Sequence, residues 1–299
     1  MDKSLLKRPD SSEASLAQTA RSGDLTPIDE YKRRARDQWT ADPCGSNVAS
    51  DLAFGTRDYF DRIEDYRYRV YGPWIKDTIG FHRHPRKRVL EVGCGTGTDL
   101  LQFARGGASV VGIDLTPRSI EITRQRFQVY DLDGEFALGD AEDLAFPDHS
   151  FDVVYSFGVI HHTPNTERAI SEIYRVLRPG GQAIVMLYNR YSLYYWGAII
   201  LRRGLIRGEL FRSTPAEIMS RSVEYSETAA TPLVKAYTRR EALSLFGRFD
   251  ECRIQIQQLT RAELRAPGRV LPEPMFRWLA EHFGWNLIIT ATKKDDPGE

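Results

Sequence analysis

The sequence predicts an α/β domain built on a doubly wound, mostly parallel sheet. Three observations carry that prediction. Short β-branched apolar runs alternate with segments of helical periodicity through the middle of the chain, the pattern of βαβ units. A glycine-rich turn joins the first of these runs to a helix, at Val89-Leu90-Glu91-Val92-Gly93-Cys94-Gly95-Thr96-Gly97-Thr98-Asp99. At 299 residues, 41% hydrophobic and 11% aromatic, the chain can bury one sizeable core with additions but not two large ones.

Residues 1–29 are rich in Ser, Asp, Arg and Thr with two prolines, a composition expected to form a disordered leader. A charged helix is expected over 30–39, broken by Pro43-Cys44-Gly45-Ser46-Asn47. Residues 56–81 read as one or two amphipathic helices interrupted at Gly72-Pro73. They are dense in aromatics, including Tyr59, Phe60, Tyr68, Tyr71 and Trp74, and so are expected to cover something. Residues 30–87 together make an N-terminal helical cap.

Strands are expected near 88–92, 109–113, 134–138, 151–156 and 182–188, and helices over 99–105, 117–130 and 165–177. Right-handed crossovers place those helices on both faces of the sheet. Two more strands, 251–257 and 285–292, complete the sheet within residues 251–295. Between them the connection 259–283 carries several arginines and has no readable role. Residues 189–250 form an insertion longer than an ordinary connection, read as a substrate lid.

The glycine turn suits a nucleotide-like cofactor. About twenty residues beyond it, Val110-Val111-Gly112-Ile113-Asp114 is a second apolar strand ending in an acid, the position from which a carboxylate holds ribose hydroxyls. The spacing places Thr98 where a dinucleotide fingerprint wants its last glycine, which disfavours pyrophosphate and with it a nicotinamide oxidoreductase.

From these residues onward the chain resembles the class I S-adenosylmethionine-dependent methyltransferases, over roughly 88–187. Phe136-Ala137-Leu138-Gly139-Asp140-Ala141-Glu142-Asp143-Leu144 looks like the family's adenine-binding segment. Ser150-Phe151-Asp152-Val153-Val154-Tyr155-Ser156 looks like its fourth strand, and Leu177-Arg178-Pro179-Gly180-Gly181 like the turn before its fifth. The resemblance implies a Rossmann-like, doubly wound, mostly parallel seven-stranded sheet, closed by a reversed hairpin, with helices on both faces and a helical lid insertion. It implies S-adenosylmethionine as cofactor, held by Glu91, Gly93, Cys94, Gly95, Gly97, Asp114, Leu115, Asp140, Ala141 and Ser156. Asp114 would accept two ribose hydroxyls and Asp140 the adenine amine. By resemblance to the helices that roof this fold, Arg67 and Tyr68 would hold the methionine carboxylate.

The acceptor side begins at the carboxyl end of the fourth strand, Ser156-Phe157-Gly158-Val159-Ile160-His161-His162-Thr163, where open α/β sheets place their catalytic groups. An imidazole there suits a base for a hydroxyl or amine acceptor, His162 before His161. Tyr188, Tyr191, Tyr194, Tyr195 and Trp196 are expected to line the lid. The apolar run 191–201 that follows, with Arg202, Arg203 and Arg207, reads either as an interfacial helix meeting a lipid, quinone or prenylated substrate or as a helix packed on the sheet edge.

Lysine plus arginine equal aspartate plus glutamate at 41 each, so no global field draws the chain to nucleic acid. No N/D-P-P-Y/F sequence follows the fourth strand, against base methylation. The cysteines, Cys44, Cys94 and Cys252, have neither zinc-ligand nor C-x-x-C spacing, so no metal is expected. No apolar run reaches the length of a membrane span and no signal core begins the chain, so a cytoplasmic location is expected. The reading is methyl transfer to a small molecule, with oxygen favoured over nitrogen or carbon. Its alternatives are a lipid-type substrate at a membrane surface, with peripheral membrane contact, and a non-catalytic cofactor-binding regulatory module.

Overall fold

The computed structural model describes residues 30–223, 232–261 and 263–295, so the expected leader lies outside the described residues. The first helix, α1 (Glu30–Ala41), ends just before Pro43, and Gly45 then turns the chain at φ 81°, a conformation that only glycine adopts cheaply. Thr56 caps α2 (Arg57–Asp65) by accepting from the Tyr59 N–H. That helix widens into a π-helical turn, Tyr66–Tyr71, and stops at Gly72-Pro73 before α3 (Ile75–Ile79).

The central alternation follows as β1 (Arg88–Val92), α4 (Thr98–Arg105), β2 (Ser109–Asp114), α5 (Pro117–Val129), β3 (Glu135–Leu138), β4 (Phe151–Phe157), α6 (Thr166–Val176) and β5 (Leu177–Asn189). The fifth strand starts earlier than its β-branched run because Leu177 pairs with Phe151 ahead of the Pro179-Gly180-Gly181 turn, across a register shift. The insertion holds a π-helix (Tyr195–Ile206), α7 (Pro215–Ser220), β6 (Ala236–Tyr237) and α8 (Arg239–Leu245); β7 (Cys252–Gln257), α9 (Arg265–Val270), α10 (Glu273–Phe283) and β8 (Asn286–Thr292) complete the chain.

The sheet runs β3-β2-β1-β4-β5-β8-β7, parallel from β3 to β5, with β8 and β7 antiparallel. An eighth strand, absent from the expected seven, is β6. It pairs with Tyr188 and Asn189 at the end of β5, beyond the last residue that β4 reaches. An unpaired edge in that position would leave buried backbone groups unsatisfied, and two residues of the insertion fill it.

Successive side chains of each strand face opposite layers. Val89, Val153, Tyr155, Ile184 and Met186 pack with Leu100, Phe103, Phe81 and Tyr68 under the cap. Leu90, Val154, Val185 and Leu187 pack with Ile170 and Ile173 of α6 and with Phe246 on the other face. Strand order reverses between β1 and β4, and open α/β sheets bind ligands at the carboxyl ends of the strands flanking such a reversal.

Candidate cofactor and acceptor site

Gly93, Gly95 and Gly97 all take positive φ, at 80°, 54° and 70°. A Cβ on Gly93 would stand 2.2 Å from the Val159 side chain, and one on Gly97 would stand 2.9 Å from Thr123. The same atom on Gly95 would meet nothing within 4 Å. Two of the glycines therefore permit close packing, and the middle one borders open space. Cys94 does not join them. Its side chain is buried beside Gly112 and Thr123, its N–H donates to the Ile113 carbonyl at 2.9 Å, and burial pushes its thiol up.

Asp114 accepts from Thr116 N–H and Oγ1 on one oxygen, both at 2.9 Å, and from the Gly95 N–H at 3.0 Å on the other. These bonds hold the carboxylate in place at the end of β2, beside the glycine turn. Burial raises this carboxyl, and the bonds from Thr116 and Gly95 oppose the rise. Leu115, half-buried, follows it. Ser156 is not available to a ligand, since its buried hydroxyl donates to the Val92 carbonyl at 3.1 Å and ties β4 to β1. Ala141 likewise belongs to the apolar core on the α6 side. Glu91 is buried with Oε2 unpartnered, and burial together with the Asp99 carboxylate pushes its pKa well above the usual range.

Beside Glu91, Asp99 is the hub of a buried polar network. It accepts from Arg67 Nε at 3.1 Å and Nη2 at 2.5 Å, and from the Tyr68 and Tyr155 hydroxyls at 2.7 Å each. Burial alone would raise its carboxyl, but Arg67 and the two phenols hold it below the ordinary range. Burial works against the charge on Arg67 too, and Asp99 keeps it protonated. The guanidinium lies 4.2 Å from the Phe157 ring centroid. Arg67 and Tyr68, expected to hold a ligand carboxylate, are thus committed to a carboxylate of the chain itself. The acid at the start of α4 and the tyrosine within β4 were both visible in the sequence, but nothing in their spacing announced the pair.

Helix α1 spans the cofactor and acceptor ends of the site. Lys32 donates to Asp140 at 2.6 Å and lies 2.7 Å from Glu142, while Trp39 meets His162 edge-on with ring centroids 5.8 Å apart. Asp140 also accepts from the Glu142 N–H at 2.9 Å, an ordinary Asx turn. One of its oxygens therefore faces a lysine where an adenine amine was expected. Lys32 was missed because a lysine on a charged helix carries no distinguishing signal.

His161 is fully enclosed, and burial pushes its imidazole well below the ordinary range, so it is neutral and has no access to an acceptor. Its neighbour is buried too but is hydrogen-bonded. His162 Nδ1 lies 2.6 Å from the Leu233 carbonyl, which cannot donate, so in the neutral ring Nδ1 carries the proton and Nε2 the lone pair. Lys235 ties the returning insertion to this loop, its N–H donating to the His161 carbonyl and its ammonium to the Thr163 and Pro164 carbonyls.

The lid aromatics separate into two groups. Tyr188 stacks on Trp285, with centroids 4.4 Å apart and planes at 19°; Tyr194 packs 4.9 Å from the same indole, and His161 lies 4.1 Å from Tyr188. Tyr195 is half-buried against that core. Tyr191 and Trp196 are exposed. Residues two apart on a helix face different ways, so one run cannot deliver Tyr194 and Trp196 to the same wall. Trp285, at the start of the last strand, was not singled out in advance.

An open cradle at the middle glycine, Glu91 near the end of β1, Asp114 at the end of β2 and a sheet of this order are the features of a Rossmann-like cofactor-binding domain. Residues 90–185 match a family model described as a methyltransferase domain. A phthiotriol/phenolphthiotriol dimycocerosates methyltransferase of Mycobacterium leprae is 45% identical over 97 residues, 32% of this chain and 35% of that protein. A fatty-acid O-methyltransferase of Mycolicibacterium smegmatis is 41% identical over 116 residues, 37% of this chain and 40% of that protein. The match thus spans well under two thirds of either relative. In three dimensions a SAM-dependent methyltransferase of Methanosarcina mazei superposes with a TM-score of 0.51 at 22% identity, over 73% of this chain and 98% of that one. The central segment is a class I methyltransferase domain, whose cofactor is S-adenosylmethionine.

The residues fit that group. The space over Gly95 accepts a ligand, Asp114 beside the glycine turn brings a carboxylate for a ribose hydroxyl, and the orphaned Glu91 oxygen awaits a donor such as an ammonium group.

Proposed function

We propose that this chain transfers a methyl group from S-adenosylmethionine to a small-molecule or lipid-like acceptor, oxygen being the favoured atom. The open face of Gly95, whose N–H donates to Asp114, is the observation that carries it. Bound S-adenosylmethionine supplies a methyl carbon activated by the sulfonium. The task of the protein is alignment, which is worth on the order of 7–11 kcal/mol, and the exclusion of water. Gly95 and Asp114 hold the nucleoside, and Glu91 meets the methionine end. His162, whose Nδ1–H faces the Leu233 carbonyl, would accept the proton of an acceptor hydroxyl on Nε2. Tyr188, Tyr194 and Trp285 give the acceptor an aromatic wall, which suits an apolar body. The relatives named for a fatty acid and for phthiotriol dimycocerosates support an acceptor of that kind.

On this reading the cap (30–87), the core (88–188), the lid insertion (189–250) and the closing strands (251–295) are functional units. The test is incubation with methyl-labelled S-adenosylmethionine and fractionated small-molecule and lipid extracts, with mass spectrometry of the product. A labelled product with an O–CH3 linkage is expected. Tight cofactor binding without label transfer to any fraction would replace the proposal with a non-catalytic cofactor-binding module.

A further inference from the structure

The insertion carries a second surface that the acceptor site does not use. Its π-helix turns Ile199 and Gly204 inward, while Trp196, Leu201, Leu205 and Ile206 recur at the spacing of one outward face. Ile206 is 74% exposed, and Phe211, on the turn just beyond the helix, is 88% exposed. Arg202, Arg207 and Arg212 are interleaved with them, exposed, and in no salt bridge among the described residues. The acid in their midst, Glu209, is already held by Arg203 at 2.8 Å and lies 3.7 Å from Arg221. The result is an apolar ridge edged by arginines that outnumber the one acid among them.

We propose that this face docks on the anionic surface of a lipid bilayer. No helix among the described residues is long and apolar enough to cross a membrane, so the geometry is that of a helix lying in the interface. Arginine forks match phosphodiester oxygens, and tryptophan is favoured at headgroup depth. A second copy of this chain fits less well. Two-fold packing of the patch on itself would set arginine against arginine, and Glu209, the acid in its midst, is already held by Arg203. Docking needs no methyl transfer, so its test is separate from that of the enzymatic reading.

The full chain is sedimented with vesicles of phosphatidylcholine alone and with vesicles containing equal parts of phosphatidylcholine and phosphatidylglycerol. Binding to the anionic vesicles only, weakening with salt, is expected. Arg202→Gln, Arg207→Gln and Arg212→Gln together are expected to lower the partition coefficient on the order of a hundredfold. Ile206→Ser with Phe211→Ser is expected to lower it on the order of tenfold or more, with unchanged circular dichroism. Absence of binding to anionic vesicles, or binding as tight as the wild type by either variant, overturns the proposal. So does a dimer in sedimentation velocity that Phe211→Ser dissolves, which would assign the face to a second copy.

Discussion

Replacing Asp99 by Ala removes the acceptor of four hydrogen bonds from three side chains, Arg67, Tyr68 and Tyr155. The loss is dominated by the guanidinium left without its counter-charge, for which breaking a buried pair costs about 3–5 kcal/mol. Each unpaired phenol adds about 1–3 kcal/mol in isolation, but the groups share one acceptor and their costs do not add. Arg67 keeps its place over Phe157, and its side chain is 19% exposed, so water partly rehydrates it. About 3–4 kcal/mol is therefore expected, or roughly 5–6 °C in melting temperature for a chain of this length. Urea denaturation followed by circular dichroism measures it.

The acid dependence supplies a second check. Asp99 has a folded pKa below its unfolded value of about 3.9, so its stabilisation is fully present above that value and is lost as pH falls through the folded one. The gap between wild type and Asp99→Ala is expected to stay level from neutral pH down to about 5 and to close under stronger acid. A loss below about 1 kcal/mol at neutral pH, or a gap that widens on acidification, would refute the reasoning.

Gly95→Val is expected to abolish S-adenosylmethionine binding in calorimetry, because its side chain enters the open space while the φ of 54° strains the turn, and circular dichroism checks that the variant stays folded; retained affinity would show that this space is not the cofactor site. Asp114→Ala is expected to weaken the cofactor about tenfold or more through one charge-assisted bond, and unchanged affinity removes Asp114 from the site. His162→Ala is expected to lower kcat on the order of 10²–10⁴-fold while leaving cofactor affinity alone, and normal turnover would mean that alignment suffices without a base.

Much of the architecture was readable because it follows from local chemistry. The runs at Val89 and Val110 are strands because β-branched residues pack on a pleated surface, and Gly93 and Gly97 declare a tight turn since any Cβ there collides. What escaped was written in long-range contact. Lys32 reaches Asp140 across 108 residues, and Trp285 joins Tyr188 from the far end of the chain. Ser156 and Cys94 were assigned to the ligand from their places in a motif, yet the structure spends both on holding strands together. Neighbourhood in sequence tells which strand end a residue occupies, not which way its side chain turns there.

The short strand β6 gives the insertion a property that a flap lacks. It is sewn to Tyr188 and Asn189 by backbone pairing, Arg190 clamps the Ala236 carbonyl at 2.8 Å, and Lys235 grips the loop carrying His161 and His162. The stretch from Asn189 to Tyr237 is thus tied to the sheet both where it leaves and where it returns, and each tie lies beside the loop that carries His161 and His162.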